Sequence, residues 1–212
     1  MIAPMSRATE HLTTTDPVLG AYIARAGRLK QEWGERSEPY AALLSAVAHQ
    51  QLHARAAEAI LGRLKALHGD ALPAPAALLA MPDEVLRACG FSGAKAAALR
   101  DLAAKAADGT IPSKARAARL SDDELIARLT TIRGVGRWTV EMLLIFTLRR
   151  PDVLPVDDFG VREGYRIIYG LEAQPKPKAL AQTGAVWAPY RSTAALYLWH
   201  AADKTKTALK AV

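Results

Sequence analysis

The sequence has a single cysteine, Cys89, among its 212 residues. One thiol cannot form a disulfide within the chain, and it excludes the four-cysteine sites that hold structural zinc or an iron–sulfur cluster. The chain also lacks an apolar run of the roughly 20 residues that a membrane-spanning helix requires. Its first eleven residues do not contain the apolar stretch of a secretory signal peptide. We therefore expect a cytoplasmic protein that has no contact with a membrane.

The alternation of apolar and β-branched residues that is typical of strands is rare, whereas alanine is abundant. Residues 54–67 place their apolar side chains on one helical face. Asp16 before Pro17 marks a helix start, and Ser121 with Glu124 has the form of a capping box. Helices in the C-terminal half are predicted over residues 137–148, 159–169, 177–187 and 189–203. These patterns predict an all-α fold.

Lysine and arginine total 28 against 21 aspartate and glutamate residues, which gives a formal charge of +7. Half of the residues are hydrophobic, so the chain can form a sizeable core and is not expected to be disordered. A basic surface attracts polyanions, and nucleic acid is the commonest of them. The alternative is a basic surface that is simply solvated.

The most informative segment, residues 129–139, reads LTTIRGVGRWT. Gly134 and Gly136 permit a tight turn with positive φ and with no side chain that blocks close approach. Gly136 precedes a predicted helix start, where backbone N–H groups lack helical partners and can bind an anion. Arg133 and Arg137 add positive charge beside them. The structural alternative is an ordinary corner between two helices, closed by a glycine.

This segment, with the apolar pair Leu129 and Ile132 on its flank, resembles the helix-hairpin-helix of the helix-hairpin-helix DNA glycosylase superfamily. The resemblance covers roughly residues 38–205, with several motifs in the family's order. It implies two helical lobes flanking a DNA-binding cleft, one formed by residues 39–150 and the other by residues 1–38 and 151–212. The implied partner is double-stranded DNA with a damaged base, bound by a monomer associated with the nucleoid.

In this family the hairpin grips a DNA phosphate without reading its sequence. Carried over by position, the DNA-binding residues here are Gly134, Val135, Gly136, Arg137 and Thr139. The resemblance also implies a monovalent cation, Na⁺ or K⁺, held by the backbone carbonyls of Thr130, Ile132 and Val135. No cofactor is expected to be required for the chemistry.

An aspartate pair follows about twenty residues after the hairpin. By default an aspartate at such a helix start is an N-cap, and Asp158 is also spaced for an ion pair with Arg162. In the resembled family a catalytic aspartate precedes an apolar helix residue by two or three positions. Aligning Val161 with that residue selects Asp158 as catalytic, with Asp157 as the reserve candidate and otherwise the cap or orienting residue. One carboxylate can stabilise the positive charge that develops on the sugar as the glycosidic bond breaks.

Lyase members of the superfamily carry a lysine in the pattern GVGRKTA, where this sequence reads GVGRWTV. Trp138 replaces that lysine, so we predict a monofunctional enzyme that uses water. An aromatic residue here resembles the 3-methyladenine DNA glycosylase II branch, whose pocket stacks electron-deficient bases on electron-rich rings. Trp138 and Trp199 are candidate pocket walls, with Met142 where some relatives have a tyrosine. Core packing is the alternative for Trp199 and the preferred interpretation for Trp187.

Chemistry on a base within a duplex requires the nucleotide to turn out of the helix, and a side chain must fill the gap. The loop after residue 49 resembles the family's minor-groove wedge and supplies Gln50, Gln51, Leu52 and His53. Gln51 is the preferred plug, Leu52 is the next candidate, and His53 is a candidate minor-groove contact. A polar loop between two helices is the structural alternative.

Together these features predict a DNA glycosylase that releases alkylated purines of the 3-methyladenine and 7-methylguanine type in base excision repair. One rival is a non-catalytic module that binds damaged DNA. Another is a related glycosylase for oxidised or mismatched bases, and a third is a simple helical scaffold.

Overall fold

The computed structural model describes residues 5–29 and 37–210. Within these ranges the chain is helical and contains no β-strand, which confirms the predicted all-α class. No helix there combines the length and the apolarity needed to cross a bilayer. The α-helices are α1 (Met5–Thr15), α2 (Pro17–Ala26), α3 (Pro39–His49), α4 (Ala54–Ala66), α5 (Pro75–Ala80), α6 (Asp83–Cys89), α7 (Gly93–Ala107), α8 (Lys114–Ala117), α9 (Asp122–Leu129), α10 (Arg137–Met142), α11 (Phe159–Tyr169), α12 (Pro177–Thr183) and α13 (Arg191–Lys210).

Two helix starts follow the capping residues that the sequence supplies. The Asp16 carboxylate accepts the N–H of Leu19 at 3.0 Å, at the start of α2. At the start of α9, the Glu124 N–H donates to Ser121 Oγ at 3.2 Å, and the Ser121 N–H donates to Glu124 Oε2 at 2.7 Å. Both predicted starts are confirmed, because each cap satisfies N–H groups that have no partner within their helix.

Other segments differ from the sequence prediction in their detail. Residues 137–148 are α-helical only as far as Met142, and Leu143–Thr147 forms a π-helical turn. The segment 177–187 ends its α-helix at Thr183 and continues as the 3-10 turn Gly184–Trp187. Apolar periodicity indicates that a segment is helical, but it does not distinguish the type of turn. The sequence prediction also omits α1, which has a largely polar sequence.

Backbone contacts divide the chain into two compact units. The hairpin unit is Glu35–Leu143, and the aspartate unit is Met1–Gly34 together with Leu144–Val212. In the hairpin unit, α3, α5 and α6 pack against α7, and α4 packs against α3 and α6. Its core is formed by fully buried aliphatic side chains, among them Leu43, Leu44, Val47, Leu99 and Leu102.

In the aspartate unit, α11 and α13 pack with direct backbone contact. A Cβ added to Gly164 would lie 1.8 Å from the carbonyl oxygen of Leu198, so no larger residue fits there. Apolar side chains from α1, α2, α11, α12 and α13 form the core of this unit. The close crossing fixes where α13 passes the start of α11, and both helices carry candidate site residues.

Asp16 joins several elements of the aspartate unit. Besides capping α2, its carboxylate accepts hydrogen bonds from the Tyr169 hydroxyl and from Trp187 Nε1, the latter at 2.8 Å. Burial raises the pKa of Tyr169 above its usual value, and the adjacent Asp16 raises it further. Trp187 is fully buried, which confirms its interpretation as a core residue.

Candidate nucleic-acid interface and active site

The segment after α9 forms a compact hairpin that leads into α10. The Ile132 N–H donates to the Leu129 carbonyl at 3.2 Å, and the Val135 N–H donates to the Ile132 carbonyl at 3.0 Å. Gly134 has a φ of +77°, a conformation that favours glycine, and Gly136 is the N-cap of α10. Leu129, Ile132 and Val135 are buried and anchor the turn to the core. The first turn of α10 therefore carries N–H groups that have no carbonyl partner within that helix.

Arginine side chains flank this turn on both sides. Arg137 Nε lies 2.9 Å from Glu141 Oε1, and the Glu141 side chain is buried whereas that of Arg137 is exposed. The buried carboxylate thus orients an exposed guanidinium one residue after the glycine turn. The Arg133 backbone N–H donates to Asp101 Oδ2 at 2.7 Å, which ties the hairpin to α7.

The predicted cation ligands are the carbonyls of Thr130, Ile132 and Val135. The Ile132 carbonyl accepts the Val135 N–H, which uses one of its two lone pairs and leaves the other able to face an ion. Among the described residues, no group of three or more His, Cys, Asp or Glu side chains is placed to hold a metal ion. Any cation here would depend on backbone oxygens, which suit hard ions. The cation site stays a prediction.

The loop between α3 and α4 contacts the hairpin directly. Gln50 Nε2 donates to the Gly134 carbonyl at 2.8 Å, so this side chain joins the two segments. Gln51 has a φ of +55°, which is costly for a residue other than glycine, and Leu52 is 40% exposed. His53 is the N-cap of α4, where its Nδ1 accepts the Arg55 N–H at 3.3 Å. Gln51, Leu52 and His53 are all exposed, and of these three His53 is the one that caps α4.

A pocket of about 520 Å³ in the hairpin unit brings together most of the residues predicted there. This volume lies in the range of small-molecule sites. Trp138 is 48% exposed at this pocket, whereas Thr139 is almost buried and contributes to the wall. The lining residues are Ala46, His49, Gln50, Gln51, Gly134, Gly136, Trp138, Thr139 and Met142.

In the aspartate unit, Asp158 begins α11. Its Oδ1 accepts two hydrogen bonds, from the Val161 N–H at 2.8 Å and from Trp199 Nε1 at 2.7 Å. The assignment of the cap to Asp157 is wrong, because Asp158 is itself the N-cap and Asp157 is exposed. Both donors converge on a single carboxylate oxygen, Oδ1, and they restrict the orientation of the carboxylate.

Gly160 makes the contact between Trp199 and Asp158 sterically feasible. A Cβ at this position would lie 2.8 Å from Trp199 Cδ1 and 3.2 Å from Asp158 Oδ1. The first distance is shorter than any normal carbon–carbon contact. The indole therefore lies over a helix turn that has no side chain at this point, and this explains why a glycine occupies the second position of α11.

Phe146 is a candidate site residue that the sequence analysis missed. It lies in the π-helical turn, is 40% exposed, and its ring centroid is 5.6 Å from that of Trp199. Both rings line a pocket of about 530 Å³ within the aspartate unit. A π turn shifts the register of the helix, so the spacing along an assumed α-helix does not show which way Phe146 points.

The same pocket carries polar groups beside the two aromatic rings. Its lining includes Arg28, His200 and Asp203. His200 Nδ1 lies 2.8 Å from the Tyr22 hydroxyl, and burial lowers the pKa of His200, with Lys204 acting in the same direction. This environment favours the neutral imidazole.

Comparisons with known proteins agree with the resemblance carried by the hairpin. The chain matches the family described as HhH-GPD superfamily base excision DNA repair protein over residues 44–189. It is 42% identical over 211 residues to DNA-3-methyladenine glycosylase 1 of Schizosaccharomyces pombe, which covers 97% of this chain and 92% of that protein.

Two solved structures are similar over nearly the whole chain. A 3-methyladenine DNA glycosylase of Schizosaccharomyces pombe in complex with abasic DNA has a TM-score of 0.81 and 43% identity, covering 91% of this chain and 95% of that one. A DNA-3-methyladenine glycosidase from Bacillus halodurans has a TM-score of 0.86 and 34% identity, covering 94% and 91%. The chain therefore belongs to the HhH-GPD superfamily of base excision DNA repair proteins, in the branch of the 3-methyladenine DNA glycosylases.

Proposed function

We propose that this protein is a monofunctional DNA glycosylase that hydrolyses the N-glycosidic bond of alkylated purines, of the 3-methyladenine and 7-methylguanine type, in double-stranded DNA. The observation that carries the proposal is the carboxylate of Asp158, whose Oδ1 is held by the Val161 N–H and by Trp199 Nε1. Membership of a family of base excision repair proteins supports the same reaction.

Binding of DNA begins at the hairpin. The N–H groups at the start of α10 and the exposed guanidinium of Arg137 offer donors and positive charge to a phosphate. A Na⁺ or K⁺ ion on the carbonyls of Thr130, Ile132 and Val135 would add positive charge beside that phosphate. Because these contacts address the DNA backbone, they hold the duplex without selecting a sequence.

The damaged nucleotide then turns out of the duplex. Gln51 and Leu52 project from the loop that Gln50 joins to the hairpin, and we propose that one of them fills the gap. Trp138, 48% exposed in an apolar pocket, offers a π-face to an alkylated base. A purine methylated at N3 or N7 carries positive charge, which an aromatic face attracts.

The bond from C1′ to the base nitrogen breaks as water adds to C1′, and the products are the free base and an abasic sugar. The ionised carboxylate of Asp158 stabilises the positive charge that develops on the sugar, and it orients the water and accepts its proton. A cationic leaving base departs neutral, so no strong general acid is needed. One carboxylate therefore suffices where ordinary glycosidases use two.

Trp138 stands where the lyase relatives have their nucleophilic lysine, and an indole cannot form a Schiff base with the sugar. We therefore expect intact strands after base release, with breaks appearing only after alkaline treatment. Reduction with borohydride during the reaction should trap no covalent complex between protein and DNA. A trapped complex would contradict the monofunctional assignment.

Asp158→Asn tests the mechanism with little structural disturbance. Asparagine is also a good N-cap and can accept the same two hydrogen bonds through its amide oxygen, so the substitution mainly removes the charge. We expect the single-turnover rate of base release from methylated duplex DNA to fall about 100-fold or more, with the melting temperature nearly unchanged. Full activity in this variant would refute the role of the carboxylate, and damage-selective binding without base release in the wild type would favour the non-catalytic rival.

A further inference from the structure

A histidine at the end of α3 makes two contacts that constrain its protonation state. His49 Nδ1 lies 2.8 Å from the carbonyl oxygen of Ser45, and its Nε2 lies 3.0 Å from Glu58 Oε1. A carbonyl and an ionised carboxylate can only accept hydrogen bonds, so both ring nitrogens have to donate. The imidazolium is the form of histidine that has two N–H donors. The two contacts therefore fit an imidazolium at His49 paired with Glu58.

The position of His49 connects this ion pair to the loop that we expect to enter DNA. His49 is the last residue of α3, and it is followed by Gln50, which is bonded to the hairpin, and by Gln51 with its left-handed φ. A left-handed conformation is unfavourable for a residue other than glycine, so the loop needs anchors that hold it in place. The ring of His49 links the last turn of α3 to α4, two residues before Gln51.

Two other basic side chains near the loop make hydrogen bonds with the backbone. Lys95 of α7 donates from Nζ to the Ala48 carbonyl at 2.7 Å, and His53 caps α4 by accepting the Arg55 N–H. On α4, Glu58 contacts the imidazole of His49. Of the described residues that line the pocket of the hairpin unit, His49 is the one that carries an imidazole.

We propose that His49 is a positioning residue whose protonation holds the loop of Gln50, Gln51, Leu52 and His53 in its DNA-binding conformation. When the imidazolium loses a proton, one ring nitrogen becomes an acceptor and faces either a carbonyl or a carboxylate, so one of the two contacts is lost. The loop then samples other conformations, and insertion into the DNA becomes less favourable. This inference rests on the proposed function, because it assumes that the loop fills the gap left by a nucleotide.

The experiment measures how pH changes the preference for DNA that lacks a base. The probes are a duplex with a tetrahydrofuran abasic-site analogue, which has no base to titrate, and an intact duplex of the same sequence. Kd is measured for both between pH 5.5 and 8.5 at constant ionic strength. The His49 and Glu58 side chains are 36% and 65% exposed, so the ion pair is partly screened by solvent. We expect the wild-type preference for the abasic duplex to fall by about two- to fivefold as the pH rises.

Two substitutions separate the proton-dependent role from a merely structural one. His49→Gln should make the preference independent of pH, at the level that the wild type reaches at high pH. Glu58→Gln should also remove the dependence on pH, but at the low-pH level of the wild type. The amide introduced there can donate to a neutral Nε2 while Nδ1 still donates to Ser45, so both contacts survive. His68→Gln, which changes a histidine of the same unit outside the pocket, is the control and should keep the wild-type profile.

The inference is overturned if the wild-type preference does not change with pH, or if His49→Gln retains the wild-type profile. It is also overturned if Glu58→Gln weakens the preference at every pH, because Glu58 would then contribute only to stability. Failure of the proposed function looks different: the wild type would show no preference for the abasic duplex at any pH and would release no base. A pH-independent preference with normal base release removes the role of His49 alone.

Discussion

Gly160→Ala tests whether the hydrogen bond from Trp199 to Asp158 supports catalysis. The new Cβ would lie 2.8 Å from Trp199 Cδ1 and 3.2 Å from its Nε1. Since carbon atoms normally approach to about 3.5 Å, the indole has to retreat by roughly 0.7 Å. A retreat of this size extends the 2.7 Å bond to Asp158 Oδ1 past the usual limit of about 3.2 Å. The substitution should therefore break this bond, while Asp158 Oδ1, 3.2 Å from the new Cβ, has to shift by only a few tenths of an ångström.

The expected size of the effect follows from the type of bond that is lost. A hydrogen bond to a charged group contributes about 1.5–3 kcal/mol. If that contribution is expressed in the transition state, base release slows by about tenfold to 150-fold. Stability should change little, because alanine at a helical position gains roughly 0.5–1 kcal/mol over glycine, which offsets part of the steric cost.

The assay is single-turnover release of 7-methylguanine from a duplex with one lesion, read as alkali-labile sites, together with thermal unfolding of the same preparations. Gly62→Ala is the matched control, since this glycine lies inside α4 and a Cβ there meets nothing within 4 Å. It should raise the melting temperature slightly and leave base release unchanged. Trp199→Phe keeps an aromatic ring but removes the N–H, and it should slow base release to a similar extent as Gly160→Ala.

Two results would refute this reasoning. A rate for Gly160→Ala within twofold of the wild type, at normal stability, would mean that the indole N–H does not support the reaction. A slow Gly160→Ala beside a fully active Trp199→Phe would mean that the loss arises from crowding at Asp158 and not from the broken bond.

Four further predictions concern other parts of the molecule. Gly134→Ala forces a left-handed φ on alanine, so it should lower the free energy of unfolding by about 1–2 kcal/mol and weaken binding of undamaged duplex DNA. An unchanged free energy in urea unfolding and an unchanged Kd in DNA titrations would contradict the role of the glycine turn. Trp138→Ala should weaken binding of duplex with a cationic methylated base about two- to thirtyfold, but not of an abasic duplex, as measured by fluorescence anisotropy. Burial raises the pKa of Asp152, but the hydrogen bonds and charge of Arg191 outweigh burial and hold that pKa below its usual value. The pair therefore stabilises the fold above about pH 4, and this stabilisation is lost as the pH falls through the folded-state pKa. Asp152→Asn should lower the free energy of unfolding by about 1 kcal/mol at pH 7 and by little at pH 3, and an equal loss at both would refute this. Replacing K⁺ and Na⁺ by tetramethylammonium at constant ionic strength should raise Kd for duplex DNA if the hairpin binds a cation, and an unchanged Kd would argue against that site.

Local patterns in the sequence were sufficient for the helical class and for the main motifs. The caps at Asp16 and Ser121, and the glycine turn at Gly134 and Gly136, depend on residues within a few positions of one another. Such interactions form within one helical turn or one hairpin, so residue type and spacing are enough to predict them. The family resemblance likewise followed from the hairpin and from Asp158, and the comparisons confirm the family.

The sequence was less informative where neighbouring residues compete for the same local role. Either aspartate of the pair 157–158 could cap α11, and the backbone conformation of the segment decided for Asp158. The apolar pattern of residues 137–148 likewise suits an α-helix, yet a π turn interrupts it and changes the direction of Phe146. Both outcomes depend on how the surrounding chain packs, which a short pattern does not record.

The contacts that give the candidate site its chemistry join residues that are distant along the chain. Trp199 reaches Asp158 across 41 positions, and Gln50 reaches Gly134 across 84. Each contact requires separate helices to cross at a particular place, as where Gly164 lets α13 pass directly against α11. Side-chain hydrogen bonds extend only about 3 Å, so they form only after packing has brought the helices together. Residue types and local spacing therefore selected Asp158 as the candidate, whereas the partners that orient its carboxylate emerged from the packing of the folded chain.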